Sequence, residues 1–401
     1  MDVQSRVQEM ADGLVASGAE VGLQISAYLH GEPVVDVHAG RADTSTGRPV
    51  DDRTLFPAAG VNLVSTVVHV LAERGLIEYG VPVAAYWPEF GAHGKTDITV
   101  AHVLTHSSGV PQAPDGLVFD DLADWDGTCA RIADLRPLWR AGAATGQHSL
   151  TFGYILGEVA RRVTGRPLPE ILRNEVAEPL GVPEDLFIGV PARHLPRVAR
   201  LEEEEERDPL LEFPAGSLFH RVIPHAFQDE DAAMMNRADR LTMDAPYRGM
   251  MTAHALARMY AALIGDVDGV RLISPARTAR LSAIVTMKED RVFGWAMAKG
   301  LGYFVAAASM GSASAFGCSA AGGLAFADPE RGLAFAYLPN LQIYGLDSRA
   351  YEVADGLRLA LGLETGMGQA IRRRRVDREM RRTRRRVGRR RRRGRGWTPA
   401  G

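Results

Sequence analysis

The chain has 401 residues, 46% hydrophobic and 24% charged, which suits a globular body with a large core in one or two domains and excludes a wholly disordered or fibrous protein. Its two cysteines, Cys129 and Cys318, cannot build a disulfide framework, no run of about 18 apolar residues offers a membrane span, and no basic-then-apolar leader opens the sequence, so a cytoplasmic protein without a membrane partner is expected. The net charge of −2 hides an asymmetry: Arg372 to Arg395 holds 16 arginines against Asp377 and Glu379, a surplus of +14 that leaves −16 on the rest.

Val3 to Ser17 reads as a helix with Val7, Met10, Leu14 and Val15 on one side. Val21 to Leu29, a turn at His30–Pro33 and Val34 to His38 predict a β-hairpin, followed by a polar loop from Gly40 to Asp52. Thr54 to Gly75 reads as a loop entering an apolar helix. Val61, Val64, Val68 and Leu71 recur every three or four residues on one face, and Gly75 is free to form the left-handed cap. Val81 to Phe90 reads as extended, Gly91 to Lys95 as a glycine-containing turn, and Val100 to Leu104 as a short helix ending in His106-Ser107-Ser108-Gly109. His102 and His106 have the spacing of a helical zinc pair, but His-Val-Leu-Thr-His lacks the glutamate of the metalloprotease motif, so no metal is expected; His106 is expected to anchor the turn.

Leu150 to Val163 is a core helix, apolar at Leu150, Tyr154, Ile155, Val159 and Val163. Pro167 to Val182 gives a helix and turn. Glu202 to Glu206 is five consecutive acids, expected as a solvated loop rather than a metal site, whose carboxylates would come from converging elements. Ala253 to Leu263 is an amphipathic helix. Ser312 to Leu338 reads as strand, Asp-Pro-Glu-Arg-Gly turn and strand, and Val353 to Leu361 as a last helix. No internal repeat is visible, and Arg372 onward is low-complexity.

The succession TLFPAAGVNLVSTVVHVLAERG, VPVAAYWPEF, ITVAHVLTHSSGVP, then EVARRVTG and LAFADPERG resembles the β-lactamase-related serine hydrolases: penicillin-binding proteins, class C β-lactamases and their esterase relatives. The resemblance covers about residues 3 to 365 and implies an α/β fold of the penicillin-binding-protein or DD-peptidase kind. An antiparallel sheet from both chain ends (about 1–54 and 271–365) would be flanked by helices, with a helical part between (about 55–270) and an arginine-rich tail over 366–401. In that family a Ser-x-x-Lys at the head of the first core helix attacks a carbonyl, a tyrosine helps move the proton, and backbone N–H groups hold the oxyanion. Counting back from Arg74-Gly75 puts the serine and lysine positions on Ala58 and Val61; counting forward from Thr54 puts them on Gly60 and Leu63. Neither register supplies a hydroxyl or an amine. The tyrosine position is Gln147, which cannot serve as a general base. The histidine or lysine of the later strand motif is Cys318, followed by Ser319 and Ala320.

These replacements predict little or no ordinary β-lactamase or esterase turnover, because such residues act as a unit and losing one costs about a millionfold in the best-measured case. Three rescues are open: Cys318 as a substitute nucleophile with His148 across the pocket, Ser65 paired with His69 on the first core helix, or a step without a covalent intermediate. The pocket would be lined by Ala58, Val61, Gln147, Cys318, Ser319, Ala320, Tyr247 and Arg248, would need no cofactor, and would hold a small-molecule ligand. A small-molecule-binding pseudoenzyme or non-hydrolytic enzyme is the leading expectation, with a hydrolase of unusual nucleophile as the alternative. Nucleic-acid or partner binding through residues 372–395 is a third. Members that act on cell-wall peptides are exported, so the missing leader speaks against that substrate.

Overall fold

The computed structural model describes residues 2–203, 213–214, 216–224, 232–320, 322–342 and 349–363. The arginine-rich tail and Glu204–Glu206 of the acidic run lie outside the described residues; Glu202–Glu203 form a two-residue strand parallel to Leu341–Gln342.

Helix α1, Val3–Ala16, opens with Asp2 accepting the Ser5 N–H and lays Val7 and Ala11 on the sheet. The expected hairpin is β1, Gly22–Leu29, with β2, Glu32–Asp43. Strand β2 runs five residues beyond the sequence reading, into the stretch expected to be loop, and pairs there with β3, Arg48–Pro49. Val35, Val37 and Ala39 alternate inward along it, and the main-chain ladder continues where side-chain polarity suggested a loop. The far end of the chain supplies β7 (Phe304–Val305), β8 (Phe316–Ala320), β9 (Gly323–Asp328) and β10 (Leu333–Pro339). The seven strands lie in the order β3-β2-β1-β10-β9-β8-β7, so the two chain ends meet antiparallel at β1 and β10.

A smaller sheet holds β4 (Phe56–Ala59), β6 (Arg248–Met251) and β5 (Leu186–Phe187), with β6 in the middle. It feeds α2, Val61–Glu73, which Gly75 closes as expected at φ +74°, the Leu76 N–H reaching back to the Leu71 carbonyl. The one-face reading of α2 needs correcting. Every residue from Asn62 to Ala72 is buried, because α2 is enclosed on all sides by α3 (Thr151–Thr164), the large sheet and neighbouring turns. Val81 to Phe90 is not extended either: Val83–Tyr86 is a helical turn and Pro88–Gly94 continues as 3₁₀, which swings Trp87 and Phe90 inward with ring centroids 5.3 Å apart. Helix α4, Ala253–Ile264, packs on β1, β9 and β10; α5, Arg349–Ala360, packs on α1.

Candidate functional site

The first turn of α2 decides which register the fold keeps. Ala58 lies in β4, opposite Gly249, and Val61 is the first helical residue, so the two do not form an i, i+3 helical pair. Of the two counts, the forward one falls at the helix head: Gly60 is the N-cap and Leu63 lies one turn in. Gly60 has ordinary helical dihedrals, so its backbone does not need glycine. Its surroundings do. A Cβ there would stand 2.3 Å from the Pro246 carbonyl oxygen and 2.8 Å from the Arg248 nitrogen. The Gly60 N–H donates to the Tyr247 carbonyl at 3.1 Å. The same proline crowds Gly153 near the start of α3, where a Cβ would lie 2.9 Å from it. Pro246 is thus wedged between the heads of α2 and α3, and Leu63 is fully buried behind it, against Gly249.

Gln147 sits in the turn before α3, half-buried, and its Oε1 is a buried acceptor without a hydrogen-bond partner. The indole N–H of Trp139 is also buried and unpartnered; its ring lies against Gly146 and under the Arg291 guanidinium, 5.4 Å away. The indole ring thus lies against the glycine that precedes Gln147 in the chain. Tyr247 meets Phe119 edge to face at 5.6 Å, and Arg248 lies over the Tyr247 ring at 5.8 Å.

Cys318 is buried in β8 among Tyr260, Tyr303 and Phe316, and burial pushes its thiol up to about 12. A reactive thiol needs a nearby cation or imidazole to lower it. His148 is not that partner, since both its ring nitrogens are engaged elsewhere. Ser319 is corrected as a pocket residue: strand alternation turns it to the opposite face, where its hydroxyl lies 3.4 Å from that of Tyr351 on α5. Ala320 pairs with Gly323 at the strand end.

Ser65 and His69 do not pair. Ser65 donates to the Gly302 carbonyl at 2.8 Å. His69 donates from Nε2 to the Leu301 carbonyl at 3.0 Å and accepts from Tyr79 at 2.7 Å, and burial lowers it to about 3. Both residues hold the turn 301–302 onto α2.

A Ser–His pair that sequence reasoning missed lies nearby. Ser108 Oγ is 2.6 Å from His148 Nε2, and His148 Nδ1 donates to the Gly146 carbonyl at 2.6 Å, which fixes the tautomer that accepts from the serine. Burial holds His148 at about 4, so it is a neutral base. His106, at φ +55°, stacks on Phe152 at 4.9 Å and accepts the backbone N–H of His148 on Nδ1, so it anchors this turn as expected. The buried Lys299–Asp290 ion pair completes the cluster. Serine and imidazole here have nucleophile–base geometry. The third group is a carbonyl rather than a carboxylate, and both side chains are fully enclosed. The only sequence signal was the spacing between two turns. Among the described residues, no group of three or more histidine, cysteine or acidic side chains could hold a metal.

Such a frame, an antiparallel sheet built from both chain ends with a mainly helical region between them, defines a class. The Beta-lactamase family profile matches residues 7–358, and the chain belongs to that family. The Esterase/beta-lactamase LipL of Mycobacterium tuberculosis is 35% identical over 334 residues, 80% of this chain and 77% of that protein. A family VIII carboxylesterase structure superposes with a TM-score of 0.81 at 32% identity, covering 90% of this chain and 98% of that one. A penicillin-binding protein homolog from Caulobacter crescentus gives 0.81 at 33% identity, with the same coverage.

Proposed function

We propose that this member of the β-lactamase family binds a small carbonyl compound in the family cleft without forming the covalent acyl intermediate. The observation that carries the reading is the wedge at Gly60. Where the family frame calls for a nucleophile there is no side chain, and the direction one would take is filled by the Pro246–Arg248 backbone. Leu63 offers no amine, and Gln147 has no titratable proton for the tyrosine's work. The unmet polar atoms of Trp139 and Gln147 support binding: buried groups without partners cost about 1–3 kcal/mol each, and a ligand carrying one acceptor and one donor would relieve both.

A second reading has its own support. The relatives' names favour hydrolysis, and Ser108 with His148 has nucleophile–base geometry. It requires the turn 105–109 to open, because Ser108 is fully buried. Turnover of p-nitrophenyl butyrate and nitrocefin, for the full chain and for Ser108→Ala and Cys318→Ala, separates the two. The first reading expects background rates in all three proteins. Turnover abolished by Ser108→Ala would establish the second.

A further inference from the structure

Residues 282–299 form an arm that projects beside the Gln147 turn. Its two limbs are bridged at Thr286–Lys299 and Glu289–Ala296, and its tip is fixed by the parallel bridge between Asp290 and Thr145. The arm shows water an unusual set of side chains: Ile284, Val285, Met287 and Trp295 are 44%, 55%, 63% and 49% exposed, four of the seven large hydrophobic residues so exposed among the described residues. Trp295 stacks on Phe293 at 5.2 Å, Phe293 lies 6.1 Å from Phe213, and Phe213 stacks on Phe219 at 3.9 Å. The aromatic surface is therefore continuous across two segments, and the exposed aliphatic residues stand on the opposite limb of the same arm. The flanking charges are mostly cationic. Lys288 holds the arm to the Gly142 and Ala143 carbonyls at 3.0 and 3.1 Å, Arg291 covers Trp139, and Arg140 is exposed on the adjoining turn, while Glu289 is the one exposed acid within the arm, residues 282–299.

We propose that this arm, together with the arginine-rich tail, docks the protein on an anionic lipid surface. A bilayer interface suits an indole with an apolar body and a polar edge, beside cations that meet anionic headgroups. Neither signal suffices alone; stable peripheral attachment takes an apolar insertion and a polybasic segment, and the chain carries +14 in residues 372–395. The acidic remainder repels such a surface, so the cationic flank of the arm selects which face approaches it. A polyanion such as RNA would engage the tail but leaves the exposed aliphatic residues Ile284, Val285 and Met287 unexplained. The inference is independent of whether the cleft hydrolyses anything.

The test is co-sedimentation of the full chain with phosphatidylcholine vesicles and with vesicles containing 30% phosphatidylglycerol. At least tenfold stronger partitioning onto the anionic vesicles is expected. A Trp295→Ser, Met287→Ser pair, with its melting temperature measured alongside to show that it is folded, is expected to lower it at least fivefold, as is removal of 372–401. Trp295→Phe in the chain ending at residue 371, compared with Trp295 in the same shortened chain at saturating lipid, keeps residual binding but loses the quenching of fluorescence by brominated lipid that Trp295 contributes. Any of three results overturns the proposal: no preference for anionic vesicles, arm variants that partition as the parent does with RNA displacing both, or arm variants that convert a dimer to a monomer in analytical ultracentrifugation.

Discussion

Putting the family's serine and lysine back should damage the fold before it creates a catalyst. In Gly60→Ser the new Cβ meets the Pro246 carbonyl oxygen at 2.3 Å and backbone atoms of Tyr247 and Arg248 at 2.8 Å. These are main-chain atoms of residues 246–248, the segment that enters β6, so the backbone itself must shift. Overpacking of this kind costs about 1–3 kcal/mol. Leu63→Lys removes a fully buried side chain worth about 2–3 kcal/mol of transfer free energy and leaves an amine in an apolar enclosure, adding a few more. The double variant should lose about 4–8 kcal/mol, a large part of the 5–15 kcal/mol typical of a folded domain. At this chain length each kcal/mol is worth about 2 °C, so a fall on the order of 10 °C in melting temperature is expected. Melting followed by circular dichroism at 222 nm, with p-nitrophenyl butyrate turnover on the same sample, reads both quantities. A double variant that melts within about 2 °C of the parent and gains turnover would refute the steric reasoning outright.

Three further outcomes follow from the same packing. His69, His148 and His106 are buried and neutral, held below the ordinary imidazole value mainly by desolvation. Their stabilisation is complete above the unfolded value near 6.5 and is lost as pH falls toward the folded values of about 3 and 4 for the first two, so these two alone should lower stability by about 3 kcal/mol per pH unit between roughly pH 6 and 4, with His106 acting in the same direction. Urea midpoints across that window check it, and a flat profile there contradicts it. Lys299→Met strands Asp290, fully buried and accepting the Val292 and Phe293 N–H groups, and should cost about 3–5 kcal/mol by denaturant titration; a loss under 1 kcal/mol would mean the carboxylate reaches water. Arg358→Leu removes the enclosed partner of Asp328 and should cost a similar amount, whereas Arg237→Leu, in an exposed pair with Asp239, should change stability by less than about 1 kcal/mol.

The frame was legible because it is written locally. A hairpin around His30–Pro33, a glycine cap at Gly75 and the Asp-Pro-Glu-Arg-Gly turn each follow from neighbouring residues, and the family resemblance supplied the joining of both chain ends in one antiparallel sheet, which local signals lack. The identities at the head of α2 were equally plain. What occupies the space beside them was not: Pro246 reaches Gly60 across 186 positions, and no periodicity reports such a contact. Ser65 and His69 looked like a pair because they sit four apart on a helix, but enclosure on every side gave each its own carbonyl on the 301–302 turn. Ser108 and His148 lie 40 residues apart on two turns, invisible until the fold brings them to 2.6 Å. Ser319 was misplaced although the period of two along a strand should have turned it away from Cys318.

The most direct test is intact-mass spectrometry of the full chain after incubation with a fluorophosphonate probe and, separately, with a penicillin. With Gly60 at the helix head and Ser108 enclosed, the mass is expected to stay that of the unmodified chain in both. A stoichiometric adduct mapped to any side chain of the cleft would contradict the claim that binding there proceeds without covalent attack.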